Sequence, residues 1–160
     1  TLHKSLIVTS LETIDFEIFN EEGLQFILSP KEAENEEFAT PEYSVFRYII
    51  LWAANKISRD AVIYFKSLLP TSDNAERLDV LQLDKLRKAH EKNHYKSKEL
   101  YESTISIISP LLKCIDFKLI HPSILANIIA PLDLVPSETL IEAFKYQTKL
   151  PPGVGPERLR

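Results

Sequence analysis

His90-Glu91-Lys92-Asn93-His94 is the stretch in which residue types and spacing spell out a reaction. On a helix, histidines at i and i+4 share a face and can bind zinc, and the glutamate beside the first can take a proton from metal-bound water. That would be a zinc hydrolase acting through His90, Glu91 and His94. The surroundings argue against it. Lys85, Arg87, Lys88, Lys92, Lys96 and Lys98 crowd the motif with charge that repels a dication. A catalytic metal also needs a dry site with hydrogen-bonded second partners. No further histidine completes the longer metalloprotease pattern, so a third ligand would have to come from Glu99 or Glu102. The expectation is no catalytic residue, no metal and no cofactor, with the zinc hydrolase kept as an alternative. Stoichiometric zinc that disappears in a His94→Ala variant would establish it.

The remaining reactive groups read as structural. Cys114 lies in Leu-Leu-Lys-Cys-Ile, an apolar setting for an inert thiol. His121, just before Pro122, reads as a helix-entry residue rather than a general base. The pairs Glu21-Glu22 and Glu36-Glu37 have no neighbour that would raise a carboxyl pKa. There is no glycine-rich phosphate loop, nucleophile elbow or C-x-x-C. Phe16, Phe19, Phe26, Tyr43, Phe46, Tyr48, Tyr64, Phe65, Phe117 and Phe144 read as core, without the basic interleaving that stacks bases.

The elements that must position these residues are helical. The chain has three glycines, two of them in its last residues, which leaves little material for hairpins. The fold class expected is all-α, a bundle or stack of short helices. The apolar run 6–8 reads as helix. Asn20 can cap a short helix over 21–29, ahead of Pro30 and an acidic surface loop over 31–39. Thr40 as N-cap, Pro41 at the first helical position and Glu42 in the first turn open the main helix. Its almost unbroken apolar run 48–54 implies burial on most sides.

Ser58 or Asp60 starts another helix carrying Ala61, Val62, Phe65, Leu68 and Leu69, ended by Pro70, and 71–74 reads as a turn. An apolar stripe of Leu78, Leu81, Leu83 and Leu86 then thins into a charged tract, exposed in its second half. Leu100, Ile105, Ile107 and Ile108 form a core-facing helix before Pro110. Pro110, Pro122 and Pro136 each bound or open a further short helix, and 151–160 reads as a mobile tail.

At 160 residues and 44% hydrophobic content the chain can bury a core without disulfides or metals. A single cysteine and no glycosylation acceptor suit a reducing compartment, the cytoplasm or the nucleus. No apolar run reaches the roughly 20 residues of a membrane span and no signal-peptide pattern opens the chain, so a soluble protein is expected. A net charge of −4 disfavours nucleic acid. The charge is uneven. Residues 12–42 hold ten acids and one lysine, whereas 84–98 hold six basic residues and two acids. The basic tract 85–98 could dock an acidic protein partner, which gives a stand-alone binding module as an alternative function.

The main helix, Pro41-Glu42-Tyr43-Ser44-Val45-Phe46-Arg47-Tyr48-Ile49-Ile50-Leu51-Trp52, resembles the signature of the BACK domain, the helical module that follows the BTB domain in many adaptor proteins. Glu42, Val45, Phe46 and Trp52 stand in the family's order and spacing. The stretch 108–122, with Ile115, Phe117 and Pro122, resembles the family's second landmark, and the helix with Ala143 its closing helix. Asp116 stands where the family usually has a basic residue, and 70–98 is longer than its usual connection, as a charged insertion would be. The resemblance implies one BACK-like domain over 1–150 and a non-enzymatic scaffold. It further implies a substrate adaptor of a cullin-RING ubiquitin ligase, with cullin contact and homodimerisation supplied by a BTB region upstream of Thr1.

Overall fold

Pro41 decides where the central helix begins. In the computed structural model, which describes residues 15–28, 41–93 and 98–150, Pro41 has φ −58° and ψ 151° and offers no side-chain cap. The φ suits a helix, but the extended ψ places Pro41 at the cap itself. The helix therefore starts at Glu42, one residue later than a Pro41 at the first helical position would have it. Thr40, the apolar run 6–8, the acidic loop 31–39 and the tail 151–160 lie outside the described residues.

Every regular element among the described residues is helical: α1 (Glu21–Leu28), α2 (Glu42–Ile57), α3 (Arg59–Leu68), α4 (Ser72–Ala75), α5 (Val80–Asn93) and α6 (Lys98–Leu112). A 3-10 turn (Phe117–Leu119) follows. Next comes a continuous rod of α7 (Pro122–Ile124), a π turn (Leu125–Ile129) and α8 (Ala130–Leu132), and finally α9 (Ser137–Thr148). The centre is α2. Tyr43, Val45, Phe46 and all of 48–54 are buried, so this helix is apolar on nearly every side and covered on nearly every side. It packs chiefly against α3 and α6, while α9 lies on the 3-10 turn and α5 lies on α3.

Local chemistry sets the boundaries. The side chain of Asn20 accepts from the Gly23 amide at 2.7 Å and opens α1. Ser58 ends α2 and caps α3 by accepting from the Ala61 amide at 3.1 Å, and Ala61, Phe65 and Leu68 then face the core at helical spacing. Ser58→Ala should cost about 1 kcal/mol by urea denaturation, with Ser58→Asp retaining most of it, because a carboxylate can take the same amide. Equal loss in both would remove the cap from the account.

Segment 71–74 is not a plain turn. The Asn74 and Ala75 amides both reach the Thr71 carbonyl, and the side-chain amide of Asn74 donates to the Thr71 hydroxyl, which closes one helical turn. The next helix restarts at a reciprocal box. The Gln82 amide donates to the Asp79 carboxylate at 2.8 Å and the Asp79 amide to the Gln82 side chain at 2.9 Å.

Two prolines sit within helical runs. Pro110 lies inside α6 rather than at its end, two residues before Leu112, where one lost ladder bond matters least. Pro131 follows the π turn, in which the Ala130 amide donates to the carbonyl of Leu125 five residues back. That wider turn accommodates a ring that would clash in a tighter one. The rod ends on Asp133 in the left-handed conformation, φ 57°.

Three apolar residues expected to face inward do not. Phe26 and Leu81 are exposed by 62% and 72%, and Ile105 by 37%. Each stands two places from a residue on the inner side of its helix, Leu24, Leu83 and Ile107, and side chains two apart on a helix point to opposite sides.

Candidate functional site

Of the residues singled out in sequence, Glu42, Val45, Phe46 and Trp52 lie on α2, and Phe117 meets it. Glu42 is 4% exposed in the first turn, and its carboxylate accepts from the Asp116 amide at 3.1 Å. A glutamate at a helix start ordinarily faces water and complements the dipole. This one instead joins α2 to the loop after α6, 74 residues away. One turn on, Phe46 meets Phe117 edge-to-face at 6.0 Å, a second link to the same loop. Val45, Phe46, Trp52, Ile115, Phe117 and Ala143 are all buried, whereas Pro122 is exposed and occupies the first position of α7.

The far end of α2 holds the N-terminal segment. The Trp52 indole N–H donates to the Phe19 carbonyl at 3.0 Å, and the Lys56 ammonium sits 4.4 Å above the Trp52 ring. The Tyr48 hydroxyl donates to the Asp15 carbonyl, and Phe16 packs at 5.2 Å against the Tyr48 ring. Burial, with the Asp15 carboxylate nearby, holds the Tyr48 phenol well above its ordinary range.

A third set of contacts was not among the sequence candidates. The Tyr43 hydroxyl donates to the Pro70 carbonyl at 2.6 Å, the Arg47 Nε to the Leu69 carbonyl at 3.0 Å, and the Ser44 and Ser72 hydroxyls touch. These three residues fasten the root of segment 70–98 to α2. Arg47 carried a usable signal, a lone cation in an apolar run. Tyr43 did not, because its partner is a distant carbonyl. Gln147 is another such residue: its amide N–H groups reach the carbonyls of Lys118 and Ile120 at 3.1 and 2.5 Å and lock α9 to the 3-10 turn.

The candidates for chemistry are dispersed. Cys114 is buried. His121 caps α7, its Nδ1 accepting from the Ser123 amide at 3.1 Å. His90 is half-buried on α5, Glu91 is exposed, and His94 lies outside the described residues. Among the described residues no three His, Cys, Asp or Glu side chains are grouped to hold a metal ion. No helix among them is long and apolar enough to cross a membrane. Of the basic tract, Arg87 and Lys88 both pair with Asp84, at 2.5 and 3.0 Å, which lowers the Asp84 carboxyl below its usual range. An open groove of about 580 Å³ lies where α6 meets the start of α9, and Ile115 and Phe117 form part of its wall.

Burial also holds the His90 imidazole below the ordinary histidine value. The unfolded chain then takes up the proton first, so stability is lost as pH falls below about 6.5 towards the lower folded-state value. The expected result is a melting midpoint that drops on acidification through this window by less in His90→Gln than in wild type. Equal slopes would show that His90 is not the group responsible.

Compared with family models, with curated proteins and with solved structures, the chain matches none.

Proposed function

We propose that this chain is a BACK-like scaffold of a BTB protein: a rigid, non-enzymatic helical unit that sets the geometry between a dimerising BTB domain and a substrate-binding part, within an adaptor of a cullin-RING ubiquitin ligase. The observation that carries the reading is the bond between its two sequence landmarks. Glu42, from the first, accepts from Asp116 in the second, and Phe46 packs on Phe117 beside it.

Residues that recur together as a signature are expected to share one structural task, and here the task is to join distant segments. With Tyr48 and Trp52 on the N-terminal segment and Tyr43 and Arg47 on 69–70, α2 ties three parts of the chain into one body. Such an arrangement suits transmission of position rather than chemistry.

The test is co-purification of the tagged full-length protein with a cullin from cells. Recovery of a cullin, lost on deleting the region upstream of Thr1, is the expected outcome. No cullin would remove the ligase role and leave a scaffold of another assembly. Absence of an upstream BTB domain in the full-length sequence would remove the family reading itself.

A further inference from the structure

Helix α5 packs on the body through one side only. Its box of Asp79 and Gln82 satisfies its own first amides, and none of its described side chains is fully buried. Leu86 and Ala89 pack inward, with Leu78 just before the helix. The outward side begins with Val80 and Leu81, exposed by 81% and 72%, more than any other large hydrophobic residue among those described. Adjacent on the chain, the two offer a partner apolar surface to bury.

Leu81, Lys85 and Lys88 fall at i, i+4 and i+7, a single line along that side, whereas Arg87 shares a neighbouring line with Val80. Over 80–88 three cations face one carboxylate, Asp84, which Arg87 and Lys88 already hold. Lys85 has no ion pair among the described residues. Glu91 lies a turn further on, on the line of Asp84 and Arg87.

We infer that the outer face of α5 docks an acidic protein segment anchored by an apolar side chain, with Val80 and Leu81 receiving the anchor and Lys85 receiving a carboxylate, while Lys88 stays on Asp84. The charge pattern selects this partner over others with negative surfaces. An interfacial membrane helix needs a continuous apolar face, and the apolar side of α5 is spent on α3 and the core. Nucleic acid requires a broader positive field than a chain of net charge −4 supplies. The inference is independent of the scaffold reading, since it rests on α5 alone.

The test is fluorescence polarisation of a labelled helical peptide of glutamates with leucines at i and i+4, titrated with the chain at low and at high salt. Saturable binding that weakens with salt is expected. Lys85→Glu and Leu81→Ser should each weaken it about tenfold, and Lys85→Arg should retain it, because charge rather than shape is used at that position. Both substituted side chains are exposed, so circular dichroism and the melting midpoint should stay as in wild type. Absence of saturable binding, or binding unchanged in both variants, would overturn the inference. So would tighter association with phosphatidylserine vesicles or single-stranded DNA than with the peptide.

Discussion

Trp52→Ala should destabilise the fold by about 3 to 5 kcal/mol. The side chain is 1% exposed, so truncation empties a large volume in the core beside α2. It also strands the Phe19 carbonyl that the indole N–H reaches at 3.0 Å, and frees Lys56 from the ring face. Trp52→Phe separates these effects. It keeps most of the apolar volume and loses the donor, which points to about 1 to 3 kcal/mol for an unsatisfied buried carbonyl and a smaller ring. Urea denaturation followed by far-ultraviolet circular dichroism measures both, since Trp52 is the chain's one tryptophan and fluorescence is lost with it. A loss below about 1 kcal/mol in Trp52→Ala would mean that α2 is not the centre of the core. Equal losses in the two variants would assign the cost to the hydrogen bond.

The same residue shows what can be read from the chain before any coordinates. An unbroken apolar run such as 48–54 leaves no polar stripe for water, so burial all round follows from composition, and the all-helical class follows from the scarcity of glycine with proline at segment boundaries. Periodicity is less reliable where leucines or isoleucines stand two apart. Leu81 and Leu83, or Ile105 and Ile107, cannot both face a core from one helix, and which one does depends on phase. For α5 the phase is set by Asp79 and Gln82, whose box restarts the helix at Val80. Along α6, Thr104, Ile108 and Leu111 take the buried line and turn Ile105 outward.

What could not be read is a matter of partners. Tyr43 and Gln147 spend their donors on carbonyls 27 to 29 residues away. A carbonyl is present at every residue, so no side-chain type at the far end announces the contact. Glu42 belongs to the same class: its position in a first turn suggests a solvated dipole contact, and only the fold brings the Asp116 amide to it.

Glu42 accordingly carries the second large effect. Glu42→Ala should cost about 2 to 3 kcal/mol, because it leaves the Asp116 amide without its acceptor and opens a gap between α2 and the loop that follows α6. Glu42→Gln keeps an oxygen of the same reach, so a variant that needs only an acceptor should recover most of the loss. If the charge itself matters, the glutamine variant should fall with the alanine one. Glu42→Ala and Trp52→Ala should also differ in where they act. Loss of the Glu42 contact loosens the 115–120 segment, so amide exchange measured by mass spectrometry should rise there and in α9, which Gln147 ties to the Lys118 and Ile120 carbonyls. Segment 15–19, held independently by Tyr48 and Trp52 at the other end of α2, should exchange as in wild type. Uniform acceleration along the whole chain would instead mean that α2 and its attached segments open only together, and that the link between Glu42 and Asp116 is not a separable joint.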